Sequence, residues 1–163
     1  QKIPLSKART FGTLESMEHK LQSYLHTHIP ITKAVGVEVV EASQAKVILS
    51  APFAPNINHK KTVFGGSLHA VATLSCWSLM YIALQEVGIS DVQIVITESH
   101  VNYLAPVDSD FLAECKAPEK EAWDRFIHML QAKGKARLKL SAKIFHKDHL
   151  AVDFQATFAA IRP

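Results

Sequence analysis

The sequence has 163 residues, of which 48% are hydrophobic and 20% charged, and its formal net charge at pH 7 is +3. This composition suits one compact globular domain and excludes a disordered chain, a collagen-like chain and a pair of full domains. The small positive charge does not favour nucleic acid as a partner, although it is compatible with an acidic protein or a phosphate-bearing ligand.

Cysteine usage and the N-terminal segment bear on the cellular setting. The two cysteines, Cys76 and Cys115, lack the spacing of a zinc site or of a disulfide framework. We therefore expect no metal and a reducing, cytoplasmic location. Residues 1–13 carry charges but no apolar stretch, which predicts a flexible N-terminal segment without a signal peptide. Residues 14–163 are then the single domain.

The first elements in the chain are a helix and a hairpin. Apolar residues recur at helical spacing over residues 14–28 and predict an amphipathic helix there. Apolar and polar residues then alternate over residues 35–39 and 45–51, which predicts two strands joined by a short turn. Pro52 ends the second strand, because proline cannot donate a hydrogen bond to a sheet.

The next feature is a run without charge, since residues 62–85 contain no Lys, Arg, Asp or Glu. Such a run is typical of a transmembrane helix. However, this one opens with Gly65 and Gly66, carries the polar residues His69 and Thr73, and lies between strand-like segments. A helix buried on all sides inside a domain explains the same pattern, and we expect no membrane span.

The second half of the chain is rich in strands. Alternating patterns predict strands over residues 92–103, 111–115, 138–144 and 150–158. A short amphipathic helix containing Trp123 precedes Gly134, and the sequence assigns no role to this segment, residues 121–132. A sheet that is apolar on one face needs one cover, and a single long apolar helix supplies it. The chain is therefore predicted to be of the α+β class.

The loop that leads into the charge-free helix carries the most specific motif. An Asn-containing loop followed by a glycine pair at a helix start resembles the hot-dog thioesterase superfamily. The closest resemblance is to a small family of thioesterase-like proteins that stand alone or follow an acetyltransferase domain, and it extends over residues 29–161. The matching positions are Ala51-Pro52, Asn56-Ile57-Asn58, Thr62, Phe64-Gly65-Gly66-Ser67-Leu68, Trp77 and Tyr103-Leu104-Ala105-Pro106-Val107.

This resemblance implies a hot-dog fold, in which an antiparallel sheet wraps around one long buried central helix. It also implies a homodimer whose central helices lie side by side and whose paired strand is residues 92–103, with pairing into tetramers left open. The implied substrates are acyl thioesters of acyl-carrier protein or coenzyme A. The phosphopantetheine of the substrate is the only expected cofactor, and neither nucleic acid nor a membrane is an expected partner.

The physical chemistry of such a loop is independent of the family. Unpaired N–H groups at a helix start, next to residues without Cβ, let a carbonyl oxygen approach where the helix dipole favours negative charge. We expect this oxyanion hole to consist of the Asn58 side chain and the backbone N–H of Gly66 or Ser67. The alternative is that the asparagines are turn residues and that the glycine pair is needed for packing.

Further site residues follow from their place beside this loop. Thr73 is expected to orient water, and we count it with the catalytic residues. The expected substrate-binding residues are Asn56, Phe64, Gly65, His69 and Tyr103. For His69, the competing interpretation is a histidine satisfied by a backbone carbonyl.

The sequence departs from the superfamily pattern at the positions of the usual catalytic base. Many hot-dog hydrolases have a histidine before the glycine pair and a carboxylate further along the helix, where this sequence has Phe64 and Thr73. No carboxylate occurs on the helix before Glu86, so hydrolysis needs water oriented by Thr73 or His69, or a distant carboxylate such as Glu98.

Decarboxylation of a malonyl thioester needs no base, because an oxyanion hole and an apolar pocket can support it. Some members of the resembling family are malonyl-acyl-carrier-protein decarboxylases that supply fatty-acid synthesis. We therefore expect decarboxylation first and thioester hydrolysis second. A non-catalytic acyl-binding module is the third interpretation.

Overall fold

The computed structural model describes residues 14–163, and the predicted flexible segment at residues 1–13 lies outside the described residues. The helices are α1 (Met17–His28), α2 (Ile31–Val35), α3 (Gly65–Glu86) and α4 (Lys120–Lys133), with a 3₁₀ turn at Ala54–Asn56. The strands are β1 (Glu38–Ala42), β2 (Lys46–Ala51), β3 (Gln93–Tyr103), β4 (Phe111–Lys116), β5 (Lys135–His146) and β6 (His149–Ile161).

The six strands form one antiparallel sheet in the order β1-β2-β4-β5-β6-β3. Period-two alternation gives the sheet one apolar face, and in β5 every second residue from Ala136 to Ile144 is buried. β3 pairs only with β6, so its outer edge has no partner strand within residues 14–163. The strands predicted in the second half of the chain are confirmed.

The long helix α3 covers the apolar face of the sheet and contacts five of the strands. Val71, Ala72 and Cys76 are fully buried against the sheet, and so are Phe154 and Phe158 on β6. The sheet therefore wraps around one central helix, which confirms the predicted α+β hot-dog fold.

By length and composition α3 could cross a membrane, since its most apolar window has a mean hydropathy of 1.4. Two thirds of that window, 67%, is buried inside the domain. A core helix has the same composition, and the burial explains why residues 62–85 carry no charge.

Two details in the N-terminal third differ from the prediction. α1 begins at Met17, after residue 14, because the Ser16 side chain caps the helix by accepting the N–H of His19 at 3.1 Å. The strand predicted over residues 35–39 begins later, at Glu38, because Val35 is the last residue of the short helix α2. Gly36 ends this helix with a φ of 80°, a left-handed conformation that glycine adopts without strain.

The burial pattern predicts a large difference between two phenylalanines of the β5–β6 hairpin. Phe158 is 0% exposed and Phe145 is 54% exposed. Phe158→Ala should lower the free energy of unfolding by about 3–5 kcal/mol, because it leaves a cavity in the core. Phe145→Ala should change it by less than about 0.5 kcal/mol. Urea denaturation of both variants checks this, and equal losses would contradict the assigned faces of the hairpin.

Candidate active site

Asn56 anchors the loop that precedes α3. Its side chain is 4% exposed, and its amide nitrogen donates to the carbonyl oxygens of Val35 at 2.8 Å and Pro52 at 2.7 Å. Its own carbonyl accepts the N–H of Phe64 at 2.7 Å. Both amide hydrogens are therefore used within the protein. Asn56 therefore holds the loop in place. Its amide nitrogen has no hydrogen left to donate to a substrate, so the predicted substrate-binding role is wrong for this nitrogen.

Asn58 closes a turn over residues 58–62. Its Oδ1 accepts the backbone N–H groups of Lys60 at 2.8 Å and Thr62 at 3.1 Å, and its Nδ2 donates to Thr62 Oγ1 at 2.9 Å. Lys61 takes a left-handed φ of 60° to complete the turn. A primary amide has two N–H donors, so one donor of Asn58 has no partner within residues 14–163. The predicted role of this donor in an oxyanion hole stays a prediction.

The start of α3 presents two unpaired backbone N–H groups. Ser67 and Leu68 donate their N–H groups to the carbonyl of Phe64 at 2.9 and 3.2 Å. The N–H groups of Gly65 and Gly66 have no hydrogen-bond partner within residues 14–163. Ser67 is therefore wrong as the predicted backbone donor, whereas Gly66 remains available at the positive end of the helix dipole.

Two exposed aromatic rings border the glycine pair. The Phe64 ring lies so close to Gly66 that a Cβ there would be 2.4 Å from Phe64 Cε1. The Tyr103 hydroxyl donates to the Gly65 carbonyl at 3.2 Å, and its ring lies 3.5 Å from the position of a Cβ on Gly65. The structure thus brings Phe64, Gly65 and Tyr103 together, and their role in substrate binding stays a prediction.

His69 and Thr73 continue along α3 from the glycine pair. His69 Nε2 lies 3.1 Å from Ser99 Oγ of β3, and its ring packs edge-on against Phe154 with centroids 5.4 Å apart. The Thr73 hydroxyl donates to the His69 carbonyl at 2.8 Å, which leaves its oxygen as an acceptor for a ligand. Ser99 was missed by the sequence analysis, because a bulge between Ile96 and Glu98 shifts the alternation of β3 and is not visible in the sequence.

The surroundings of these groups hold no carboxylate partner. Within residues 14–163, no Asp or Glu side chain makes a hydrogen bond or ion pair with His69, Thr73 or the glycine pair. Glu98 instead accepts the hydroxyl of Thr157 at 3.3 Å. Its strand neighbour Ser99 contacts α3, so Glu98 lies on the opposite face of the sheet. Glu98 is therefore wrong as a candidate base.

The side chains of α3 whose pKa values are shifted lie further along the helix, away from the glycine pair. Burial raises the pKa of the Cys76 thiol well above its ordinary value, and the neighbouring Cys115 thiol raises it further. Burial, and then the charge of ionised Tyr24, raise the pKa of Tyr81. These groups therefore stay neutral at pH 7. Among residues 14–163, no group of three or more His, Cys, Asp or Glu side chains is placed to hold a metal ion.

Comparisons with known proteins add the following findings. Residues 18–162 match the model of a family described as "Putative thioesterase (yiiD_Cterm)". The crystal structure of a protein of unknown function from Chlorobaculum tepidum shares 35% sequence identity, with a TM-score of 0.84 over 88% of this chain and 93% of that chain.

Two further crystal structures carry a thioesterase description. A "putative thioesterase" from Shewanella oneidensis shares 27% identity, with a TM-score of 0.75 over 88% of this chain and 96% of that one. A thioesterase from Haemophilus influenzae shares 14% identity, with a TM-score of 0.68 over 91% of this chain and 92% of that one. The last likeness shows the fold alone.

The hydrogen bonds of the loop predict different effects for its two asparagines. Asn56→Ala should lower the free energy of unfolding by about 2–4 kcal/mol, because it leaves the buried Val35 carbonyl and the partly buried Pro52 carbonyl without their donor. Asn58→Ala should cost about 1 kcal/mol, since its turn is partly exposed and water can replace the lost partners. Thermal and urea unfolding measure both changes. A larger loss for Asn58→Ala would contradict the anchoring role of Asn56.

Proposed function

The chain belongs to the yiiD C-terminal thioesterase family of the hot-dog superfamily, and from this premise we propose that it processes acyl thioesters at the start of α3. The favoured reaction is decarboxylation of a malonyl thioester carried by acyl-carrier protein or coenzyme A. The phosphopantetheine of the substrate is the only cofactor that this chemistry requires, and we place the reaction in the cytoplasm.

One observation carries the proposal. Within residues 14–163, the backbone N–H groups of Gly65 and Gly66 at the start of α3 have no hydrogen-bond partner, and no carboxylate side chain bonds to this helix start. Backbone donors at a helix N-terminus stabilise an oxyanion, because the N–H groups and the helix dipole both favour negative charge. Because neither residue has a Cβ, the Phe64 ring packs over Gly66 and the Tyr103 ring packs beside Gly65, which places both rings next to the donors. The free amide hydrogen of Asn58 is the proposed third donor.

Decarboxylation uses these groups in a balanced sequence. The bond between the malonyl carboxylate carbon and the α-carbon breaks, carbon dioxide leaves, and the bonding electron pair forms an enolate whose charge lies on the thioester oxygen. The N–H groups of Gly65 and Gly66 donate to that oxygen, and one proton from water then converts the α-carbon to the methyl group of an acetyl thioester. The exposed rings of Phe64 and Tyr103 would shield the substrate from water, which favours loss of a charged carboxylate.

Thioester hydrolysis is the competing reaction, and the position of His69 on α3 favours it. Its imidazole is the titratable side chain on α3 nearest the glycine pair in sequence, and Thr73 offers an acceptor one turn further on. Attack by water benefits from a general base, normally by a factor of 10²–10⁴. His69 has no carboxylate partner to orient it within residues 14–163, which leaves hydrolysis second. A non-catalytic acyl-binding module is third.

A second copy of the chain is the proposed partner at the edge of the sheet. β3 runs for 11 residues with one unpaired edge, and Val95 and Ile96 on it are 41% and 39% exposed. A long, apolar, unpaired edge strand is normally covered in a stable protein. Pairing of β3 with its symmetry mate would cover it and is consistent with a homodimer, with tetramers left open.

Product analysis tests the proposed reaction. The protein is incubated separately with malonyl-carrier protein and longer acyl-carrier proteins, and the products are identified by mass spectrometry and thiol titration. Malonyl-carrier protein should yield acetyl-carrier protein and carbon dioxide without free thiol. Free thiol without acetyl product would instead establish hydrolysis. No product from any thioester, in a sample whose folding is verified, would favour the binding module.

Substitution of Asn58 tests the side-chain donor, and Thr62→Val is its matched control. Asn58→Ala should lower kcat about 10²- to 10³-fold, the effect of losing one oxyanion-hole donor. Thr62→Val removes the hydrogen bond from Asn58 Nδ2 to Thr62 Oγ1 but keeps the Asn58 amide and the bond from the Thr62 backbone N–H to Asn58 Oδ1. Its kcat should therefore stay within about threefold of the parent protein. Equal losses in the two variants would show that Asn58 acts only by shaping the turn.

A further inference from the structure

The helix α4 has no part in the site described above, although it is a substantial insertion between β4 and β5. The β4–β5 pairing ends at Cys115 and Ala142, so within residues 14–163 no strand pairs with residues 135–141 of β5 on that side. α4 packs against this unpaired part of β5, and its residues Phe126 and Leu130 are buried. The helix therefore replaces the missing length of β4.

This replacement leaves a cavity of about 290 Å³ between α4, the distal half of α3 and β5. Its walls are formed by Leu79 and Met80 of α3, Leu138 and Leu140 of β5, and Trp123 of α4. Small side chains, among them Ala83 on α3, also face the cavity and leave room that larger residues would fill. The space is open to solvent on one side, so a ligand can enter it without unfolding of the domain.

The lining of the cavity restricts the chemistry of its ligand. Gln44 and Lys120 are its only lining residues with polar side chains apart from the Trp123 indole, and both are exposed to solvent. The polar groups thus mark the mouth, and the interior offers almost no hydrogen bonds. An amphiphile with an apolar body and a polar end fits this distribution better than a polar metabolite.

The cavity is separate from the start of α3. Met80 lies 14 positions after Gly66 on one helix, and at 1.5 Å per residue the two are about 21 Å apart along its axis. No residue assigned above to the thioester site lines the cavity. Between the two regions, Ala72 and Cys76 are fully buried where α3 packs on the sheet. Packed side chains therefore separate the cavity from the helix start.

We propose that this cavity is a second ligand site, which binds the hydrocarbon chain of a medium-chain fatty acid. A cavity of about 150 Å³ accommodates benzene, so a space about twice as large has room for roughly ten carbons. The chain would lie against Leu79, Met80 and Trp123, and the carboxylate would remain in water at the mouth. This proposal does not depend on the reaction at the glycine pair.

Calorimetric titration of the full chain with decanoate, below the concentration at which decanoate associates with itself, tests the proposal. Saturable binding of one decanoate per chain is expected. Ala83→Leu should weaken it at least tenfold, because the added carbons occupy the cavity. Ala132→Leu makes the same change on an exposed residue of α4 and should leave the affinity unchanged. In a Trp77→Phe background, the remaining Trp123 should change its emission on binding.

Circular dichroism and thermal melting verify that each variant is folded. If Ala83→Leu fails to fold, Ala45→Leu, which changes an exposed lining residue, replaces it with the same expected loss. Binding that is equally tight in the folded cavity-filling and control variants would overturn the proposal. The absence of any saturable binding to the parent protein would do so as well.

Discussion

The burial of α3 is the constraint on which the rest of this structure depends. A 22-residue helix covered by a sheet cannot carry charge along its length, because an unpaired buried charge costs several kcal/mol. Its composition is therefore apolar almost throughout, and every strand that packs on it needs an apolar face. The alternating patterns of β5 and β6 provide this apolar face.

The same constraint shapes the chemistry available at the helix start. Burial of the helix body and the loop anchored by Asn56 together fix the position of the helix N-terminus. There, two backbone N–H groups have no partner among residues 14–163. Because residues 62–85 carry no charge, α3 also supplies no carboxylate near its N-terminus that could activate water. A site with strong backbone donors and no acidic base suits a reaction in which negative charge develops on a carbonyl oxygen. It is less suited to one that requires removal of a proton from water.

The parts of this structure that could be predicted from sequence are those governed by long periodic patterns. The charge-free run predicted the central helix, and strict alternation predicted β5 and β6. The roles of the asparagines could not be predicted, because the sequence does not show that the Asn56 amide donates to the carbonyls of Val35 and Pro52. Ser67 was assigned as a donor because the pattern could not show where α3 begins, and hence which N–H groups its first turn uses. The cavity beside α4 depends on where β4 ends relative to β5, which is a matter of tertiary register.

The most direct test of the central claim is an NMR titration of the backbone amides with an amide analogue of a malonyl thioester, in which nitrogen replaces sulfur. The account predicts that the Gly65 and Gly66 amide protons shift downfield as they donate to the analogue's carbonyl, with smaller changes along the buried part of α3. Saturable binding with no shift at Gly65 or Gly66, and with the largest shifts elsewhere, would contradict the placement of the oxyanion hole at this helix start.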